Sequence, residues 1–150
     1  MALPQRVEPR VVEAPPVVVA TPATITVAPA AGLRAYQILR AAFVALPLIA
    51  GVDKFFNLVA PWGDYLAPDV SDLLGVSPRS IMHAVGVLEI LAALMVAFRP
   101  GAGGWLVAVW LWAIAVNLLI LPGHYDVVLR DLALSLGAVA LARLAADFER

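Results

Sequence analysis

Four long apolar stretches, with few polar residues inside them, follow one another along the chain. They cover about residues 36–59, 80–98, 104–121 and 125–146. Each has about the 20 residues that an α-helix needs to cross the hydrocarbon core of a bilayer. None alternates polar and apolar positions as the strand of a membrane barrel would. The pattern therefore predicts four transmembrane helices within residues 35–147.

The connections between these stretches differ in length. Residues 61–79 form a long, partly polar loop, whereas residues 99–103 and 122–124 are tight turns that contain proline and glycine. Short connections make consecutive helices antiparallel neighbours. The predicted fold is an all-α membrane protein, a four-transmembrane-helix up-down bundle.

Residues 1–34 precede the bundle and differ from it in composition. Six of the twelve prolines lie within the first 31 residues, between valine, alanine and threonine. Because proline lacks an N–H and fixes φ, this density disfavours a helix or a central strand. We predict a disordered, Pro-rich cytoplasmic tail. A cleaved secretory signal is the alternative, although Glu8, Glu13 and Pro22 interrupt the pattern that such a signal needs.

Composition supports the assignment to a membrane. Hydrophobic residues make up 63% of the chain, charged residues 14%, and the mean hydropathy is +0.92. A soluble domain usually carries about 25% charged residues, so lipid must be part of the solvent here. The net charge of −1 gives no indication of nucleic-acid binding. Without cysteine, the chain forms no disulfide and no thiolate metal site.

The distribution of lysine and arginine predicts the orientation, because cytoplasmic loops of membrane proteins carry an excess of these residues. If the tail is cytoplasmic, six arginines lie inside and two outside. The inner residues are Arg6, Arg10, Arg34, Arg99, Arg143 and Arg150, and the outer residues are Arg79 and Arg130. We predict a multi-pass protein of the inner (plasma) membrane with both termini in the cytoplasm.

Several polar side chains lie within the apolar stretches, mostly in the half of the bundle that we predict to be outside. Ionisable groups inside a bilayer are costly and are functional candidates by default. Glu89 is the deepest, about 14 Å into its helix at a rise of about 1.5 Å per residue. We predict a shared polar pocket that opens outward. Its candidate residues are Lys54, Asn57, His83, Glu89, Asn117 and Asp131.

Helical spacing predicts some of the contacts in this pocket. Gly86 lies angularly between His83 and Glu89, which leaves room for a neighbouring helix, a water molecule or a ligand. Lys54 is expected to pair with Glu89 or Asp131, because an unpaired charge in hydrocarbon costs about 2.5–3.5 kcal/mol on insertion scales.

The fourth apolar stretch carries two further spacing signals. Asp126 and Arg130 are four residues apart, the spacing of an ion pair on one helix face. Ala133 and Gly137 are candidates for close helix packing through small residues.

Each of these residues also has a structural interpretation. Lys54 and Arg130 could extend to the interface and anchor their helices, and Asn117 could join two helices by a hydrogen bond. His83 and His124 lie near one interface, where hydrogen bonding is commoner than metal binding, and we predict no metal site. For Glu89, its depth and short side chain favour a function or an obligatory ion pair. Nucleotide-binding, metalloprotease and serine-hydrolase motifs are absent.

Four segments of the bundle share an order of polar residues with a known family. They are GVDKFFN at 51–57, HAVGVLE at 83–89, AVNL at 115–118, and GHYD at 123–126 followed by Arg130 and Asp131. On these residues the chain from 36 to 146 resembles the DoxX-like family of small four-helix membrane proteins. The resemblance implies a membrane subunit of a quinone-linked redox complex or an oxidative-stress complex, which acts with a partner oxidoreductase subunit.

The resemblance also implies a role for the predicted pocket. It would receive a quinone head group or a partner subunit, with Lys54, Glu89 and Asp131 as contacts. The chain has no cysteine, flavin motif or haem ligands, so we predict no intrinsic cofactor and no catalysis by this chain alone. Two alternatives stay open. The buried charges could serve a small oligomeric transporter or proton-coupled carrier, or they could only pair helices in a structural subunit.

Overall fold

The computed structural model describes residues 29–121 and 123–148, and within them all regular secondary structure is helical. The predicted all-α class is thus confirmed for the described residues. Residues 1–28 of the predicted tail lie outside the described part of the chain, and residues 29–34 belong to the first helix. The elements are α1 (Pro29–Asp53), a short 3-10 helix (Trp62–Tyr65), α2 (Pro68–Leu74), α3 (Pro78–Phe98), α4 (Pro100–Ile120) and α5 (Tyr125–Phe148).

Proline and capping residues set the start of the helices after the long connection. Pro68, Pro78 and Pro100 occupy the first turns of α2, α3 and α4, where a fixed φ suits the helix and the missing N–H leaves no bond unmade. Ser77 caps α3, and its hydroxyl accepts a hydrogen bond from the Ser80 N–H at 3.3 Å. Gly75 ends α2 in the left-handed region, with φ 62°.

Three of the helices are long and apolar enough to cross a membrane: Ala30–Asp53, Pro78–Phe98 and Pro100–Ile120. These three candidate spans support the assignment of the chain to a membrane. The helix α5 has a similar length of 24 residues, but charged residues near both of its ends lower its hydropathy. These residues are Asp126, Arg130, Asp131, Arg143 and Asp147. A fourth membrane span therefore stays a prediction.

The four long helices pack in an antiparallel, up-down arrangement. Both α1 and α4 pack against α3 and against α5. The Arg40 guanidinium of α1 donates a 2.5 Å hydrogen bond to the Ala97 carbonyl near the end of α3. Near the start of α1, the ring of Tyr36 lies 5.6 Å from that of Phe148 at the end of α5. We call the end of the bundle that carries residues 54–77 the loop end, and the opposite end, at Arg99, the turn end.

Glycines allow two pairs of helices to approach until their backbones touch. A Cβ added to Gly51 of α1 would lie 2.7 Å from the Gly86 carbonyl oxygen of α3, and one added to Gly86 would lie 2.6 Å from that of Gly51. On α4, a Cβ at Gly104 would lie 2.8 Å from the Ala138 carbonyl oxygen of α5. Small residues thus build both helix contacts, as is common in membrane bundles.

Of the two small residues predicted to pack α5 against another helix, only Gly137 does so. Gly137 faces Phe43 of α1, whose ring would lie 3.3 Å from an added Cβ. Ala133 is exposed. The contact is therefore formed between a glycine and an aromatic ring rather than by two small residues.

The first helix differs most from its predicted bounds, since it begins at Pro29 and ends at Asp53 rather than covering residues 36–59. The Asp53 carboxylate accepts hydrogen bonds from two backbone N–H groups beyond the helix end, those of Leu58 at 2.9 Å and Val59 at 3.0 Å. Asn57 has φ 53°, which no α-helix accommodates. Residues 55–59 continue the apolar pattern of α1, which is why the sequence predicts a longer helix. The Asp53 side chain instead accepts hydrogen bonds that hold this backbone in a non-helical conformation.

Candidate functional site

A buried ion pair lies in the loop-end half of the bundle. Lys54 Nζ is 2.6 Å from Glu89 Oε2, and the two residues are 4% and 6% exposed. Lys54 is the first residue after α1, while Glu89 lies midway along α3. Between them a Cβ added to Gly86 would lie 3.1 Å from Lys54 Cβ. The glycine therefore allows the lysine to pass close to α3 and reach the carboxylate.

The indole of Trp62 covers the lysine. Lys54 Nζ lies 3.7 Å from the centroid of the Trp62 ring, a cation–π contact. Trp62 is held from two sides, because its Nε1–H donates to Asp53 Oδ2 at 2.7 Å and its backbone N–H donates to Asn57 Oδ1 at 3.3 Å. The lysine thus contacts a carboxylate and an aromatic face.

Asp53 organises this part of the loop, and sequence reasoning did not identify it as a site residue. It is 5% exposed and accepts hydrogen bonds from Trp62 Nε1 and from the backbone N–H groups of Leu58 and Val59. The signal that could have found it is an aspartate inside an apolar stretch and before Pro61, because an aspartate side chain can accept hydrogen bonds from nearby backbone N–H groups and so compete with the helix.

Asn117 was predicted as a member of the pocket, but its observed partners lie elsewhere. Its Oδ1 accepts a hydrogen bond from the Ala67 N–H at 3.1 Å, and its Nδ2 donates to the Tyr65 carbonyl at 2.7 Å. It therefore fastens the loop to α4. The alternative interpretation from the sequence is that Asn117 joins two helices by a hydrogen bond. In the structure it does form hydrogen bonds of this kind, but they join a helix to a loop.

On α5, the structure shows no ion pair between Asp126 and Arg130, both of which lie among the described residues. Arg130 Nε instead lies 3.9 Å from Asp131 Oδ1, with the arginine side chain 66% exposed. Asp126 is exposed in the first turn of α5, where the helix dipole already favours a carboxylate. Asp131 is 6% exposed and lies within electrostatic range of Glu89 and Lys54. Three predicted site residues are thus buried in one region of the bundle.

Two buried histidine nitrogen atoms in the same half of the bundle have no hydrogen-bond partner among the described residues: His83 Nε2 and His124 Nδ1. The His83 ring stacks on Phe55, with centroids 5.0 Å apart. The buried Trp110 side chain lies close enough to Glu89 to act as a hydrogen-bond donor to its carboxylate. His124 contacts the ring of Tyr65 at 5.0 Å, away from the ion pair.

A groove of about 530 Å³ opens between the loop and the start of α3. Lys54 is one of its lining residues, whereas Glu89 is not. Arg79 is the other charged lining residue, and none of the lining residues that the structure describes is acidic. The full set is Lys54, Asn57, Pro61, Gly63, Ser77, Pro78, Arg79 and Met82.

Within residues 29–121 and 123–148, no group of three His, Cys, Asp or Glu side chains could hold a metal ion. Comparisons with protein-family models, with curated proteins and with solved structures gave no match to this chain. The resemblance to the DoxX-like family therefore stays a prediction from the sequence.

Proposed function

We propose that this chain is a DoxX-like membrane subunit of a quinone-linked redox complex or an oxidative-stress complex, and that it works with a partner oxidoreductase. In this proposal the Lys54–Glu89 pair and the adjoining groove receive the polar head of a quinone. The observation that carries the proposal is a buried lysine that both pairs with a carboxylate and lines an open groove.

The side chains around the groove suit a quinone head. Its carbonyl oxygens are hydrogen-bond acceptors, and an ammonium group has three donors, of which Glu89 Oε2 takes one. Trp110 Nε1 is a further buried donor beside Glu89. Met82, Pro61 and Pro78 provide apolar lining. A bound quinone would supply two-electron chemistry, while Lys54 and Glu89 would orient the head and hold a proton beside it.

We further propose that α5 is the fourth membrane span and that the turn end faces the cytoplasm. The extensive packing of α5 along α4 supports the first point, because a helix that accompanies a membrane span over its length reaches the same depth. The arginines near the turn end, Arg34, Arg40, Arg99 and Arg143, support the second through the positive-inside rule.

Quinone binding to the purified protein in lipid nanodiscs tests the proposal. A short-chain quinone is titrated against the parent protein and against Lys54→Met/Glu89→Leu, which removes both charges together. We expect at least a tenfold loss of affinity, which corresponds to about 1.4 kcal/mol. Arg143→Met at the turn end is the matched control. Equal binding by the double variant and the parent would refute the proposed site.

A partner subunit is tested separately by purification in mild detergent followed by assay of quinone reduction. The proposal predicts reduction in the co-purified complex and none by the chain alone. Reduction that is unchanged when the chain is removed from the complex would contradict its role as a subunit of the site.

A purely structural subunit is the second candidate, and the short Lys54–Glu89 distance favours it because each charge neutralises the other. Exchange of the two residues, Lys54→Glu/Glu89→Lys, separates the two functions. If the pair is structural, the exchanged variant should be more stable than either single variant and should lose no activity. If the pair binds quinone, the exchanged variant should regain stability but not quinone affinity.

A small oligomeric carrier is the third candidate, and the second buried carboxylate, Asp131, favours it, since buried carboxylates serve proton relays in transporters. Four helices are few for a transport pathway, so this function requires assembly of several copies. Proton flux in liposomes that contain only this protein, abolished by Glu89→Gln, is the result expected of a carrier.

A further inference from the structure

The groove beside the ion pair carries positive charge that no acidic lining residue balances. Lys54 and Arg79 line it, and none of the lining residues that the structure describes is acidic. Glu89, the partner of Lys54, does not line the groove, so the ion pair presents its positive member there. A cleft lined by charges of one sign concentrates the electric field and attracts the opposite sign. The groove therefore favours an anionic group.

Arg79 is the cation of this groove whose charge is available to a ligand. Among the described residues, its side chain forms no ion pair and no hydrogen bond, and the residue is exposed. Lys54, by contrast, is 4% exposed and contacts both the Glu89 carboxylate and the Trp62 ring. The charge of Lys54 is thus already compensated inside the protein, whereas that of Arg79 is not.

The start of α3 adds to the positive potential beside Arg79. Ser77 is the N-cap of this helix, and Pro78 and Arg79 are its first two residues. All three line the groove. The N-terminus of a helix carries a partial positive charge, and the first turn of α3 contains no acidic residue that would neutralise it. The helix dipole and the guanidinium therefore act on the same part of the groove with the same sign.

An ionised acidic group on the quinone head matches this arrangement. Arginine binds anionic oxygen atoms through charge-assisted hydrogen bonds, while the carbonyl oxygens of a neutral quinone need only a donor such as the Lys54 ammonium. We propose that the groove selects a quinone whose head carries an ionised acidic substituent, and that Arg79 contacts this substituent. The inference rests on the function proposed above, to which it adds the charge of the ligand and the residue that recognises it.

Two matched quinones test this selection on the full chain in phosphatidylcholine nanodiscs. One is a hydroxynaphthoquinone, whose hydroxyl is ionised at neutral pH, and the other is its uncharged methyl ether. Each is titrated against the parent, Arg79→Gln and Arg130→Gln. Arg130 is the matched control, because it is exposed at the same end of the bundle but does not line the groove. Each quinone is compared between parent and variant, which cancels the difference in partitioning into lipid.

We expect Arg79→Gln to weaken binding of the ionised quinone about three- to fivefold, the range of an exposed charge contact, and to leave binding of the methyl ether unchanged. Arg130→Gln should alter neither. If Arg79→Gln affects both quinones equally or not at all, or if both arginine variants lose the same affinity, selection by Arg79 is overturned while the quinone site remains. Binding of neither quinone to the parent would instead refute the quinone site itself, and this inference with it.

Discussion

The two halves of the bundle hold the same four helices together with different residues. Toward the turn end, the interior is an apolar core, and one residue, Arg99, connects α3 to α4. Toward the loop end, Lys54, Glu89 and Asp131 are buried, and residues 54–77 close over them. The turn end is held by apolar packing and by the Arg40–Ala97 hydrogen bond, without a buried ion pair among the described residues, so the helices do not need buried charges to pack there. Buried ion pairs are weak stabilisers, which makes a functional reason for them more plausible.

The distribution of charged residues follows the same division. Near the turn end, the described residues are mostly basic: Arg34, Arg40, Arg99 and Arg143, with Asp147 as the acidic residue. The loop-end half is mostly acidic. Its carboxylates are Asp53, Asp64, Asp69, Asp72, Glu89, Asp126 and Asp131, and its cations are Lys54, Arg79 and Arg130. This difference supports the proposed orientation, in which the basic turn end faces the cytoplasm.

Removal of one member of the ion pair should have the largest effect on stability. Lys54→Met leaves Glu89 buried without its cation, which we expect to lower the free energy of unfolding by about 3–5 kcal/mol. Lys54→Met/Glu89→Leu should recover most of this loss. Arg143→Met at the turn end should change little, because that side chain is exposed. Denaturant titration in mixed micelles measures all three, and an equal loss in the single and double variants would show that no such coupling exists.

The glycine contact between α1 and α3 should come next. In Gly86→Ala the new methyl would meet the Gly51 carbonyl oxygen at 2.6 Å, so the helices must separate near the ion pair. We expect a loss of about 1–3 kcal/mol. Gly63→Ala is the control at the same end, since a Cβ there has nothing within 4 Å. Similar unfolding midpoints for the two variants in detergent would argue against backbone contact.

Loss of the loop anchor should have a smaller effect. Asn117→Leu removes two hydrogen bonds to residues 65 and 67, at about 1 kcal/mol each, and should increase amide hydrogen exchange in the loop without affecting the turn end. Ser71→Ala removes an exposed hydrogen bond of the same loop and provides the comparison. Unchanged exchange in the Asn117 variant would mean that the loop is held by other contacts.

The smallest effect should come from Asp126. Since it forms no ion pair with Arg130 in the described structure, Asp126→Asn should lower the thermal midpoint only slightly, through the lost interaction with the helix dipole, whereas Asp131→Asn alters a buried residue near the ion pair and should shift it more. Differential scanning calorimetry of both variants decides the point. A large shift with Asp126→Asn alone would restore the pairing expected from the i,i+4 spacing.

The long helices and the Lys54–Glu89 pair could be predicted from the sequence for the same physical reason. Long apolar stretches have few alternatives in lipid, and a lysine and a glutamate in such stretches must find each other or remain unpaired. The structure places Lys54 against Glu89, one of the two expected partners. The glycine at 86 leaves room for a helix, one of the three occupants considered.

The loop end could not be derived in the same way. The apolar residues 55–59 extend the hydropathy of α1, and only the hydrogen bonds of the Asp53 side chain show that the helix has ended. The position of Asn117 along its helix was evident, but its partner depends on how the loop folds back. The depth of a residue follows from its place in the sequence, whereas its neighbours depend on tertiary structure.

The single-residue turn at Arg99 has a consequence for assembly. It makes α3 and α4 a hairpin that can form from local contacts, with α1 joining on one side and α5 on the other. Glu89 belongs to this hairpin, whose own cations, Arg79 and Arg99, lie at its two ends. The counter-ion of this carboxylate, Lys54, is the first residue after α1, so the charge of Glu89 is neutralised only when α1 is packed against α3.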